Sequence, residues 1–104
     1  MGKARRIILD TRTFEKAGDA TSFFSSMLNR YSVGACVSET DAKDLTALLK
    51  RHDERDEKVG AGIDHFEVSA APDGHPGKCF WIVRTDGSKI DISFRHCLEA
   101  RAGD

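Results

Sequence analysis

Cys79, His96 and Cys97 are residue types that bind zinc, with Cys36 and three further histidines elsewhere in the chain. Structural zinc sites draw on close ligand pairs such as CxxC or HxxxH, and no such pair occurs here. His96 and Cys97 are adjacent in a segment read as strand, where neighbouring side chains point to opposite faces. The cysteines are therefore read as buried thiols behaving as small hydrophobes, and no metal is expected. A hydrolytic reading would use His65, Asp91 and Ser93, because a serine nucleophile needs a base and a group that orients it. No GxSxG elbow surrounds any serine. The carboxylates Asp64, Glu67, Asp86 and Asp91 raise the thought of a metal nuclease, but Asp86 already has a sufficient task in a turn. No catalytic residue is assigned.

Two constellations suit binding instead. In Lys58-Val59-Gly60-Ala61-Gly62, close glycines after a lysine could let backbone N–H groups approach a phosphate. The segment lacks P-loop spacing and precedes a strand rather than a helix, and a tight structural turn explains it equally. Arg84, Lys89 and Arg95, with His65 nearby, place cations around a β-hairpin. Open antiparallel sheets with basic and aromatic groups hold single-stranded RNA through phosphate contacts and base stacking. Acidic Asp64, Glu67 and Asp91 interleave with these cations, and Trp81 sits in an apolar run that reads as core.

The elements that would position these residues follow from periodicity. Ile7-Ile8-Leu9 reads as a short strand that pairs with a sheet edge. Phe23, Phe24, Met27, Leu28 and Tyr31 form one apolar helical face, with Asp19 as the expected N-cap and Gly34 beyond the end. Ser38-Glu39-Thr40-Asp41 resembles a capping box for a second helix, whose inner face is Ala42, Leu45, Leu48, Leu49 and His52. The mixed-charge run 53–58 is its solvated exit. Beyond Gly62 the pattern turns to sheet. Phe66 and Val68 alternate with His65, Glu67 and Ser69. After the breaker cluster 72–77, Cys79–Val83 reads as a strand buried on both faces. Asp86-Gly87 predicts a tight type I′ hairpin. In the return strand Ile90, Ile92 and Phe94 oppose Asp91, Ser93 and Arg95, and residues 100–104 are an expected frayed tail. The sum is an α+β domain, a two-layer sandwich of a short N-terminal strand, two amphipathic helices and a three-stranded antiparallel meander.

Bulk properties agree. The 104 residues fit one domain. Sixteen Lys and Arg against seventeen Asp and Glu give a net charge of −1, which removes the easy argument for a strongly basic nucleic-acid protein. Three cysteines without a disulfide pattern favour a reducing compartment. The apolar run 7–9 is too short for a signal-peptide core or a membrane span, so a cytoplasmic protein without membrane contact is expected.

Three ordered motifs then stand out: Lys58-Val59-Gly60-Ala61-Gly62, Cys79-Phe80-Trp81-Ile82-Val83-Arg84-Thr85-Asp86-Gly87, and Asp91-Ile92-Ser93-Phe94-Arg95-His96-Cys97. Together with Phe23-Phe24 through Tyr31 and Leu48–His52, they resemble the DCL (defective chloroplasts and leaves) family across nearly the whole chain. Lys58, Gly60, Gly62, Arg84, Asp86, Gly87, Asp91, Ser93 and Cys97 match its pattern. Lys78 stands where the family often has Arg, Ile92 where it has Phe, and His96 where it has Lys. The resemblance implies RNA-linked work: plant members are associated with plastid ribosomal RNA processing, and a similar domain ends the largest subunits of plant-specific RNA polymerases. It implies neither an enzymatic activity nor a cofactor. A plastid address is not expected, because no transit peptide is seen. The expected RNA-contacting residues are Lys58, Gly60, Gly62, Arg84, Lys89 and Arg95, with Asp86, Asp91 and Ser93 as motif polar residues of unassigned role. The rival expectation is a protein-interaction module docking on a processing or transcription complex.

Overall fold

The computed structural model describes residues 6–52, 55–72 and 77–98, and within them the chain has the expected α+β order. Strands β1 (Ile7–Ile8) and β2 (Thr13–Phe14) lead into helices α1 (Ala17–Asn29) and α2 (Glu39–Leu49). A short helix α3 (Arg55–Val59) precedes the meander β3 (Ile63–Ala70), β4 (Lys78–Arg84) and β5 (Lys89–Ile92), and one further turn, α4 (Phe94–Cys97), follows. The strands pair antiparallel in the order β3-β4-β5. The expected tail, residues 53–54 of the charged run and residues 73–76 of the breaker cluster lie outside the described residues.

The two layers meet because each has one apolar face. Phe66, Val68, Phe80, Ile82 and Ile92 of the sheet share a core with Ala20, Phe24 and Met27 of α1 and Leu45, Leu48 and Leu49 of α2. Burying such a large side chain contributes about 1.5–3 kcal/mol. Five rings run through this core in succession. Phe14 meets Phe23 at 5.3 Å, Phe23 meets Phe24 at 5.0 Å, Phe24 meets Phe94 at 6.3 Å and Phe94 meets Phe80 at 6.4 Å. The tilted and edge-on geometries suit the ring quadrupoles. This line joins hairpin, helix, α4 and sheet.

Several local expectations change. The first strand pairs with β2 rather than with the sheet. The free edge of β3 is already occupied: Gly34 N–H donates to Val68 O at 2.7 Å, Val68 N–H to Ala35 O at 2.9 Å, and Val37 N–H to Phe66 O at 2.9 Å. Helix α1 starts two residues before Asp19, with Lys16 at the cap and no side-chain cap bond, so Asp19 lies in the first turn. There its charge complements the helix dipole instead. The exit from α2 is not a continuation of that helix, because α3 forms separately. Phe94, Arg95 and Cys97 leave the strand for α4, with Cys97 N–H bonded to Ser93 O at 3.2 Å. Strand β4 is buried on one face only: Phe80 and Ile82 are buried, whereas Cys79, Trp81 and Val83 are half-buried on the other. A long apolar run follows β propensity as well as burial, and here the second face has no helical layer among the described residues. Trp81 therefore belongs to the open face, its Nε1–H donating to Ala70 O at 3.2 Å.

Ser38 caps α2 as expected, accepting from Asp41 N–H at 3.2 Å. Asp41 does something else. Its carboxylate accepts from Tyr31 Oη at 2.6 Å and from Arg30 Nη2 at 2.8 Å, tying the end of α1 to the start of α2. Burial pushes this carboxyl upward, but the bonds from Tyr31 and Arg30 outweigh it and leave its pKa below the ordinary 3.8. A lowered carboxyl stabilises the fold fully above its unfolded pKa and loses that contribution as pH falls through the folded value. Asp41→Asn should therefore lower unfolding stability at pH 7 by about 1–3 kcal/mol. In urea melts across pH, the gap between variant and parent should close as pH drops below the ordinary carboxylate range. A gap that persists there would mean the charge is not responsible.

Candidate functional site

The motif residues separate to the two ends of the sheet. At the hairpin end, Arg84 is the organising group. Its Nε donates to Lys58 O at 3.0 Å, its Nη2 to Glu57 O at 2.9 Å and its Nη1 to Ser88 Oγ at 3.2 Å. A guanidinium carries five donors in a fixed fork, and here three are committed to closing α3 and the hairpin. The two helix carbonyls have no later helical N–H to bond, so a cation satisfies both their lone pairs and the negative end of the dipole.

The glycines belong to the same clamp. Gly60 has φ +54°, and a Cβ there would stand 2.8 Å from Arg84 Nε. Gly62, with φ +121°, carries the carbonyl that accepts from Thr85 N–H at 2.9 Å, while Thr85 Oγ1 donates to Ala61 O at 3.1 Å. The Lys58–Gly62 segment is thus the last residues of α3 plus a turn bonded to the hairpin. The hairpin itself differs from expectation. Gly87 N–H donates to Arg84 O at 2.9 Å and Arg84 N–H to Ser88 O at 2.8 Å, with Gly87 at φ +88°. That is a three-residue loop with a left-handed Gly in third place, rather than a two-residue type I′ turn. Asp86 closes it, accepting from Ser88 Oγ at 2.6 Å and Ser88 N–H at 2.9 Å, and these bonds lower its pKa.

Lys58 reaches across to the outer strand, its Nζ donating to Asp91 O at 2.9 Å. Because Arg84 and Ser88 form a hydrogen-bonded pair, alternation directs the backbone groups of Lys89 and Asp91 outward. Lys58 thus closes an exposed strand edge, a position where lysine discourages pairing with another chain. Lys89 lies on the open face in an ion pair with Glu67 at 2.6 Å. His65, beside it, is paired with Asp64 at 2.6 Å.

The other end of the sheet holds a groove of about 1140 Å³ between α1 and the ends of β4 and β5. It gathers Asp91, Ser93 and Arg95 with Lys78, Cys79 and Asn29, over apolar Leu28, Ile92 and Phe94. The Lys78 ammonium bonds Tyr31 O at the rim. Arg95 lies over the Phe94 ring, its guanidinium carbon 5.2 Å from the centroid. Burial above all, and then the Asp91 charge, push the Cys79 thiol up to about 11. At neutral pH that leaves roughly one thiolate in ten thousand, so it is a poor nucleophile. Among the described residues no three His, Cys, Asp or Glu side chains come together as a metal site.

Of the expected contact residues, Lys58, Gly60, Gly62 and Arg84 form the clamp, Lys89 sits mid-face, and Arg95 alone lines the groove with Asp91 and Ser93. Asn29 was not singled out from sequence. Its signal is spacing: Ser25 and Asn29, four apart, form a polar strip beside an otherwise apolar helical face.

A two-layer α+β domain with an arginine-clamped hairpin and a polar groove at the far sheet end is the architecture of a DCL-type domain. The chain belongs to the family described as "Protein of unknown function (DUF3223)", which matches residues 25–98. It is 35% identical over 71 residues to "Protein DCL, chloroplastic" of Solanum lycopersicum, covering 67% of this chain and 32% of that protein. It is 33% identical over 69 residues to "DNA-directed RNA polymerase V subunit 1" of Arabidopsis thaliana, covering 65% of this chain and 4% of that subunit. The chain therefore spans about a third of one relative and a small part of the other. The solution NMR structure of an uncharacterized protein from Rhodospirillum rubrum is similar throughout, with 42% identity, a TM-score of 0.81, and 93% and 91% of the two chains covered. Among the described residues no helix is long and apolar enough to cross a membrane.

Gly60→Ala should cost about 1–2 kcal/mol from the left-handed backbone alone, and more from the collision with Arg84. In an Arg84→Ala background only the backbone part should remain. Denaturant melts of the two single variants and the double variant measure this coupling, and strict additivity would remove the clamp from the explanation.

Proposed function

We propose that this chain is a non-catalytic, cytoplasmic, RNA-associated accessory domain serving RNA maturation, ribosomal RNA in the first place, and that it contacts RNA through the groove. The observation that carries this reading is the contrast between the sheet ends. Arg84 has three donors committed to carbonyls and a hydroxyl within the chain, whereas Arg95 stands at a groove over the Phe94 ring, with no side-chain hydrogen bond among the described residues. Cations already tied into the fold hold structure; those beside an open polar groove can meet a phosphate. The likeness to a polymerase subunit and to DCL supports an RNA setting.

A net charge of −1 limits how much of the affinity phosphate contacts can supply. With Arg95 as the rim cation free of a side-chain hydrogen bond among the described residues, the salt slope for a single strand should be about −0.7. One further observation favours a protein partner: Val33, 63% exposed, lines the same groove. Amide-shift titration with single-stranded RNA at two salt concentrations separates the readings. Shifts are expected at Asn29, Lys78, Asp91 and Arg95, with Arg84 and Gly60 unmoved. If no RNA moves the groove amides, while capture on a larger complex survives nuclease, the protein-docking reading replaces it.

A further inference from the structure

On the sheet face turned away from the helices, one row of partners runs Glu67, Trp81, Asp91 across β3, β4 and β5, and the next runs His65, Val83, Lys89. Cys79, Trp81 and Val83 make an apolar strip along β4, half-buried and without a helical layer above them among the described residues. The charges around this strip are unevenly matched. Lys89 pairs with Glu67 at 2.6 Å, the two spanning β4, and His65 bonds Asp64 at the irregular start of β3. The Lys58 ammonium is held at the edge by the Asp91 carbonyl. The Asp91 carboxylate itself has no hydrogen bond or ion pair among the described residues. It stands directly across from Trp81, in a pair that exchanges no backbone bonds. Such pairs bring side chains closest, with Cβ atoms about 4.5–5.5 Å apart.

An unpaired carboxylate beside an indole calls for a cation that tolerates an aromatic neighbour. A guanidinium meets both demands, since it forks onto a carboxylate with two bonds and packs flat against rings. We propose that the open face docks a basic, extended segment of a partner protein, one arginine of the segment meeting Asp91 and its apolar side chains resting on Trp81 and Val83. This surface is additional to the RNA contact. A base stacked on Trp81 would bring its phosphates over Glu67 and Asp91, where like charges repel. A basic polypeptide meets the same two carboxylates with attraction. Residues 34–37 and Lys58 engage the two strand edges, so side chains on the face hold the segment, not an added strand. Asp91 and Cys79 also border the groove, and the two surfaces therefore adjoin.

Trp81 is the only tryptophan of the chain, so intrinsic fluorescence reports on this face alone. The test titrates the full chain at low salt with the peptides RVRVRVR, SVSVSVS and EVEVEVE and with the RNA pentamer UUUUU. RVRVRVR should shift the Trp81 emission saturably and move the amides of Glu67, Trp81, Val83 and Asp91, whereas the neutral and acidic peptides should do neither. Asp91→Asn should weaken RVRVRVR about two- to fivefold, the range of a solvent-exposed ion pair. Asp19→Asn, which removes the same charge from α1, should leave the affinity unchanged. The Asp91→Asn fold should persist, since the backbone carbonyl holds Lys58, and a urea melt checks this; if it does not, the amide map of the parent chain decides. Equal weakening by both variants means attraction to net charge alone and overturns the proposal, as do peptide shifts confined to other surfaces or an unmoved Trp81. A tighter Trp81 response to UUUUU than to RVRVRVR makes the face a nucleic-acid surface and overturns it as well. The role of Arg95 in the groove stands or falls separately.

Discussion

Three hydrogen bonds from one guanidinium determine how the C-terminal half of this domain can be built. Arg84 leaves the end of β4 and takes the terminal carbonyls of α3, groups that a five-residue helix cannot satisfy internally. Charge-assisted bonds of this kind are about twice as strong as neutral ones, although partial solvent contact reduces what they contribute here. Once Arg84 lies across the helix end, the chain has no room for a side chain at position 60. It must also turn with positive φ at Gly60 and Gly62 before entering β3. The same docking of α3 delivers Lys58 to the outer edge of β5. The spacing of lysine, two glycines, arginine and aspartate thus has one mechanical origin.

That origin changes what the cations mean. Lysine and arginine beside glycines invite a phosphate-cradle reading, since backbone N–H groups and positive charge are what such cradles use. In this fold the N–H of Gly62 donates to Val59 O at 3.0 Å and that of Gly60 to Asp56 O at 3.0 Å, so both are engaged in ending the helix. Of the remaining motif residues, Ser93 and Arg95 lie toward the opposite end of the sheet, and Asp91, whose carbonyl holds Lys58, lies between. One sequence pattern therefore contains two kinds of residue, those that hold the hairpin against α3 and those that line a groove. Spacing along the chain does not distinguish them; the direction of each side chain does.

The helices, the meander and the core faces were legible because each repeats a period: Phe24 and Met27 on one helix, Leu45, Leu48 and Leu49 on the next, Phe66 and Val68 against Phe80 and Ile82. What periodicity could not supply was context. Cys79, Trp81 and Val83 are as apolar as Phe80 and Ile82, so nothing in the run shows that only one face is covered. Ile90, Ile92 and Phe94 alternate perfectly, yet the backbone leaves the strand at Ser93, because Phe94 reaches the ring line from a helical turn. The groove was the least legible feature. Asn29 and Asp91 are far apart in sequence, and only the packing of α1 across the sheet end makes them neighbours of one cavity.

Closure of the sheet edges explains why the groove, rather than an exposed strand, is a surface left for recognition. Added strands are a common mode of binding for open sheets, using the free backbone groups of an edge. Here residues 34–37 occupy the edge of β3, and Lys58 takes the Asp91 carbonyl on the edge of β5. On the open face between them Lys89 and Glu67 are in contact and His65 lies beside Asp64. Recognition by added backbone or by a broad charged surface is thereby disfavoured. The concave end remains, where Asn29, Ser93 and Arg95 line one groove beside apolar Leu28, Ile92 and Phe94. A concave surface of mixed polar and apolar character is what such a nearly neutral domain offers for contact, since attraction to a long polyanion has little net charge behind it.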